Sequence, residues 1–350
     1  MDLSDPPRWG SGFRLSRRAR RVTTVVTVVV AAGVVISLVT SATPWPSALL
    51  IRGVFEAGAR STVAEMLPYV PKTKLTEHLD LSYGSAGADT TLDAFTPADA
   101  TKPLPAVVWI HGGAWISGDK EHVAPYLRIL ASQGYTTIGL NYTVGPEAAY
   151  PTAVDQLNDA LAYITKHATE LNVDPDQIVL AGDSAGAQLA SQLAALTTNP
   201  QYANLLGIAP ALAPAQLAAT ILNCGVYDLS RMADLNGIGA WGFKIALWAY
   251  TGTKNWSSTY AGATMSTIDF VTADFPPTFI SGGNGDELTW IQSVPMTNRL
   301  TEAGVDVTEL FWPANHEPAL PHEYQFHLDL KDAHTALDRT LEFLGRHTTR

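Results

Sequence analysis

The chain has 350 residues, 46% hydrophobic and 16% charged, with a formal net charge of −11. That length and composition suit one large globular domain and exclude a disordered or repeat protein. The charge is split, six arginines against two aspartates before residue 22 leaving the tail at +4 and the remainder at −15. So acidic a body excludes a nucleic-acid ligand, which needs a basic stripe to neutralise phosphates.

In chain order, residues 1–21 form a basic tail that reads as cytoplasmic, and residues 22–42 read as a transmembrane helix. Between Val22 and Ile51 there is no charged residue, and VTTVVTVVVAAGVVISLV (22–39) is apolar apart from Thr and Ser. A helix of ~20 residues crosses the ~30 Å hydrocarbon layer. The preceding arginines favour a cytoplasmic N-terminus, which places the body outside the cytoplasm. The alternative is a signal peptide cleaved after Ala42 and a secreted chain. Residues 43–74 follow as an amphipathic linker or cap helix, with Leu50, Val54, Phe55, Val63, Met66 and Leu67 at roughly helical spacing. Such a helix either lies on the membrane or covers a pocket.

From residue 75 to residue 350 the pattern is that of one α/β domain. KLTEHLDLSYG and TTLDAFTP read as outer strands, and LPAVVWI as a buried one. A helix (123–132), strand YTTIGLNY, a helix (153–167), strand QIVLAG and a helix (185–196) follow. After strand AATILNCG comes a Trp- and Gly-rich insertion at about 229–275, expected to be irregular and to form a cap. Strand PTFISGG, a helix (291–303), strand DVTELFW and a last helix (about 324–343) close the chain. This alternation predicts a mostly parallel central sheet with helices on both faces, whose ligands bind at the carboxyl ends of the strands.

Reactive side chains stand just after three of these strands. Ser184 follows QIVLAG, Asp286 follows PTFISGGNG, and His316 or His322 follows DVTELFWP. A serine hydroxyl needs an imidazole to take its proton, and the imidazole needs a carboxylate to fix its tautomer. His322, just before the last helix, is favoured over His316 as that base; His327, His334 and His347 read as surface residues. Gly182 and Gly186 leave room for a sharp strand-to-helix turn under Ser184, and Asp183 reads as a structural residue of that turn. The glycines of HGGAW turn backbone amides toward one point, so Gly112, Gly113 and Ala185 are the expected oxyanion donors, each removal costing about 3 to 4 kcal/mol. His111 supports that loop. Trp115, with Trp241, Phe243 and Trp248, is a candidate to line the substrate pocket. The single cysteine, Cys224, cannot form an intramolecular disulfide and reads as core packing. The sequence has neither metal-ligand spacing nor a P-loop or dinucleotide fingerprint, so no metal or cofactor is expected.

WIHGGAW followed by GDSAG resembles the hormone-sensitive-lipase-like and carboxylesterase branch of the α/β hydrolases, over residues 75–345. The order Ser, Asp, His agrees with that fold's triad. The resemblance implies an esterase or lipase acting on a small-molecule or lipid ester, with Asp286 in the acid-bearing loop SGGNGDELT and the base at His322 in HEYQF. An amide or aryl-formamide hydrolase or a peptidase on the same machinery is the alternative, and a catalytically inert binding module the remote one. Neither oligomeric state nor acyl-chain length is legible.

Overall fold

A computed structural model describes residues 17–233, 235 and 237–349. The tail before Arg17 lies outside the described residues. The chain divides into two compact units, Met1–Pro46 and Ser47–Arg350. The described part of the first is mainly α1 (Arg17–Ala42), within which Thr24–Ala42 is long and apolar enough to cross a membrane or to serve as a signal sequence.

The second unit is an α/β-hydrolase fold on eight strands: β1 (Leu75–Ser82), β2 (Thr91–Pro97), β3 (Leu104–Ile110), β4 (Thr136–Leu140), β5 (Val173–Asp183), β6 (Leu217–Asn223), β7 (Thr278–Gly282) and β8 (Val307–Phe311). They form one sheet in the order β1-β2-β4-β3-β5-β6-β7-β8. β2 pairs antiparallel with both β1 and β4; β4, β3, β5, β6, β7 and β8 pair in parallel. All seven residues of β3 are buried, as an apolar run in a sheet covered on both faces requires.

The helices are α2 (Trp45–Met66), α3 (Lys120–Ala131), α4 (Thr152–Lys166), α5 (Ala185–Thr198), α6 (Pro200–Leu206), α7 (Leu229–Met232), α8 (Gly237–Thr251), α9 (Tyr260–Met265), α10 (Val294–Glu302) and α11 (Lys331–His347). On one face α4, α5 and α10 pack into the larger core cluster; on the other, α3 and α11 pack into a second. In α4 the buried residues Val154, Leu157, Leu161 and Ile164 recur at the spacing of one helical face. Each stabilises the fold by roughly 1.5–3 kcal/mol.

One expectation needs correction. The insertion at 229–275 is largely helical, containing α7, α8 and α9. In α8 three glycines, each costing about 1 kcal/mol, are offset because Ala246 and Ala249 pack against Ala48, Ile51, Ala114 and Ile116. The apolar residues of α2 and of the turn after it are divided between an exposed and a buried side. Leu50, Val54, Phe55 and Leu67 are exposed, whereas Ser47, Ala48, Ile51 and Met66 are buried. Besides the apolar contacts of Ala48, Ile51 and Met66, α2 is fastened to the body by Arg52, which donates to the carbonyls of Ile116 and Gly145 and pairs with Glu147.

Candidate active site

Ser184 is the single residue between the end of β5 and the start of α5. It is buried, with φ 52° and ψ −120°, a backbone conformation that costs of order 1–3 kcal/mol for a non-glycine residue. Two glycines make the turn possible. A Cβ on Gly186 would lie 2.0 Å from the carbonyl oxygen of Ile110, and one on Gly182 would lie 2.4 Å from the carbonyl carbon of Gly186. The Ser184 amide donates to Asn223 at 2.9 Å, tying the turn to the end of β6.

Asp286 sits in the loop after β7 and His322 in the segment after β8. Asp286 is 7% exposed; its Oδ1 accepts the Leu288 amide and its Oδ2 lies 2.6 Å from His322 Nδ1. A carboxylate at that distance makes Nδ1 the protonated nitrogen and leaves Nε2 as an acceptor. The two loops are knitted together, the Gly285 amide donating to Leu320 and Asn284 Oδ1 accepting the Leu320 amide. Burial of the His322 ring opposes its charging, but Cys224 and Asp286 favour it, and the balance holds its pKa well above the ordinary 6.5. His316 is placed elsewhere. Its Nε2 lies 3.2 Å from Asp332 at the start of α11, and its ring rests on Trp312.

The HGGAW loop follows β3. His111 is buried, and burial lowers its pKa to about 4, so the ring is neutral and its Nδ1–H donates to the Gly112 carbonyl. Gly113, Ala114 and Trp115 all have positive φ. Asp183 is also buried, with Oδ1 accepting the Trp109 indole N–H at 2.7 Å and Oδ2 accepting the Gly112 amide at 2.8 Å. Burial, then the neighbouring Glu323 carboxyl, raises the Asp183 pKa well above its ordinary value. The Gly112 amide is therefore committed to Asp183, which corrects the expectation that it is an oxyanion donor. Among the described residues the amides of Gly113 and Ala114 enter no such bond.

Ser184, His322, Gly112, Gly113 and Ala114 line one cavity of about 360 Å³, walled on its far side by Val54, Phe55 and Gly58 of α2 and by Phe243 of α8. Trp115 is not part of its wall, contrary to expectation. The ring is fully buried between helices, its N–H donating to Gln188 at 3.0 Å and its face stacked on Tyr250, so it has no surface left for a substrate. Of the other aromatics proposed for the pocket only Phe243 lines it; Trp241 is exposed and Trp248 packs beneath the Lys254 ammonium.

Sequence reasoning misses three further residues here. Cys224, at φ 45° after β6, is buried as expected, but its sulfur lies against the Asp286–His322 pair, all three ligand atoms falling within 4.8 Å of one another. Such proximity joins different strand ends and leaves no local spacing to read. Glu323 and Ala114 are the others: Glu323 lines the cavity beside His322, and Ala114 follows the two glycines of HGGAW.

A match to the BD-FAE family model spans residues 92–300, from β2 into α10. The chain belongs to the BD-FAE family. Among curated relatives of this BD-FAE protein, "Probable carboxylic ester hydrolase LipM" of Mycobacterium tuberculosis is 31% identical over 269 residues, 74% of this chain and 58% of the relative. "Carboxylesterase NlhH" of the same organism is 29% identical over 264 residues, 74% of this chain and 78% of the relative. The chain thus spans little more than half the length of LipM and, for "Esterase LipQ", 43%. Among solved structures, Esterase B from Lactobacillus rhamnosis has the same fold, with a TM-score of 0.72 at 24% identity over 86% of this chain and 96% of that one.

Proposed function

We propose that this BD-FAE protein is a serine carboxylester hydrolase. The observation that carries the reading is the 2.6 Å Asp286–His322 contact on the wall of the same cavity that holds Ser184 on its strained turn. Ser184 Oγ attacks the ester carbonyl while His322 Nε2 takes its proton, and Asp286 holds the imidazole and stabilises the imidazolium. The oxyanion is bound by the amides of Gly113 and Ala114 with that of Ala185 at the start of α5, where the helix dipole also favours negative charge. His322 then returns the proton to the leaving alcohol, and water, activated by the same ring, releases the acyl group. The names of the mycobacterial relatives support an ester as the substrate.

Ser184→Ala is expected to abolish hydrolysis of a short p-nitrophenyl ester with the circular dichroism spectrum unchanged; retained turnover overturns the reading. Matched ester and anilide substrates separate an esterase from an amide hydrolase, a faster anilide reaction favouring the latter.

The apolar helix Thr24–Ala42, preceded by arginines, further supports a single membrane span with the body outside the cytoplasm. Intact mass of membrane-extracted protein tests this, a mature chain starting near Thr43 indicating cleavage and secretion instead.

A further inference from the structure

Helix α2 turns most of its charges toward the body and leaves several apolar residues exposed. Of its four charged residues, three face the body: Arg52 donates to Ile116 and Gly145, Glu56 accepts from Ser117 and pairs with His122, and Glu65 pairs with His327. The fourth, Arg60, is exposed, on the face where Leu49, Leu50, Gly53, Val54, Ala57, Gly58 and Ser61 also recur at helical spacing, all of them uncharged. Leu50 is 64% exposed and Val54 63%. A water-facing helix of a soluble domain carries its charges outward, so this arrangement marks a surface with an apolar partner.

Two observations identify that partner as a lipid bilayer. Residues 43–48 alone separate Leu49 from the end of the apolar helix Thr24–Ala42, so the stripe begins within about 25 Å of chain from a segment able to enter a membrane. The stripe also runs into the cavity, because Val54 and Gly58 belong both to the outward face and to the cavity wall that Phe55 completes. A bilayer laid against α2 therefore meets the entrance to Ser184.

We infer that α2 is an interfacial helix whose Leu49–Ser61 stripe lies in the lipid headgroup region, and that the cavity takes its ester from an amphiphile held in that bilayer. The substrate part of this inference rests on the proposed esterase chemistry; the docking does not. An amphipathic helix of this kind sinks its apolar face several ångströms into the boundary between headgroups and acyl chains. Such a position lets an acyl chain pass along Val54 and Phe55 without crossing water.

The test uses the full chain in phosphatidylcholine vesicles. A polarity-sensitive fluorophore is attached at Leu50→Cys and, as a control, at Glu170→Cys, which lies before β5 at the end of the sheet opposite the cavity; the native Cys224 is buried. The label at 50 is expected to be blue-shifted and quenched by brominated phosphatidylcholine, and the label at 170 to be quenched only by aqueous iodide. Iodide access at 50 equal to that at 170 overturns the inference. Shielding at 50 that grows with protein concentration in lipid-free detergent also does so, indicating a second copy as the partner.

In the activity arm, Leu49→Glu/Leu50→Glu lies outside the cavity wall. It is expected to slow turnover of a vesicle-borne diacylglycerol at least roughly tenfold while leaving soluble p-nitrophenyl acetate turnover unchanged. Equal loss on both substrates, or no loss on either, overturns the bilayer as the substrate's source. A wild-type chain that hydrolyses neither ester refutes the esterase reading, and the fluorescence arm still decides the docking.

Discussion

The Asp183 carboxylate accepts the Gly112 amide at 2.8 Å, so the residue immediately before Ser184 holds the glycine loop that faces it. The Ser184 turn and the HGGAW loop are thereby set by one side chain, which the Trp109 indole fixes from the other side.

Asp183→Asn turns one acceptor oxygen into a donor and leaves either Gly112 or Trp109 without its partner. We expect a loss of about 1–3 kcal/mol in urea unfolding and a lower kcat. The sign of the pH effect follows from the raised pKa. Above pH 3.8 the unfolded chain releases this proton while the native carboxyl keeps it, so this group's contribution to stability falls as pH rises toward its native pKa. The asparagine variant should lose that slope; an unchanged slope and kcat would show that the tether is idle.

His322→Ala should remove ester hydrolysis and His316→Ala should spare it, because only His322 reaches Asp286. The neutral imidazole is the working form, so with the His322 pKa raised, kcat/KM should rise with pH through an apparent pKa above 6.5. In Asp286→Asn the amide no longer fixes the tautomer: kcat should drop on the order of 10⁴-fold, with the acid limb moving to lower pH. A pH–rate profile of wild type and Asp286→Asn measures both.

Gly186→Ala places a methyl group 2.0 Å from a β3 carbonyl that cannot move without breaking the sheet. Destabilisation of at least about 1–3 kcal/mol is expected, seen as a lower Tm or loss of soluble protein. A variant with wild-type Tm would mean that β5 and α5 can separate.

Arg52→Met keeps the bulk of the side chain but leaves the Ile116 and Gly145 carbonyls without their donor. Hydrogen bonds to a charged group contribute about 1.5–3 kcal/mol each. Faster amide exchange is expected across residues 47–66 and the HGGAW loop, with β5 unaffected. Uniform exchange throughout the molecule would show that α2 is held by other contacts.

Much of this molecule is written locally. The apolar run LPAVVWI has the length of a strand covered on both faces, and GDSAG between an apolar run and an alanine-rich one reads as a strand–turn–helix crossing, because apolar spacing and the space demanded by Gly182 and Gly186 act within a few residues. Ser184, Asp286 and His322 stand after their strands for the same reason.

What only the tertiary structure decided lies between segments far apart in sequence. His322, not His316, meets Asp286 because the loops after β7 and β8 are hydrogen-bonded at Leu320, a pairing without local signal. Gly112 is taken by Asp183 across 71 residues, and Trp115 by Gln188 across 73, so neither is free for substrate. On α2 the apolar positions were plain in the sequence, but which side faces the body was not. That was settled by Arg52 and Glu56 finding partners on the HGGAW loop and on α3. Hydrogen bonds to fixed partners, together with the packing of Ala48 and Ile51, fixed the helix's rotation and left Leu49, Leu50 and Val54 pointing outward.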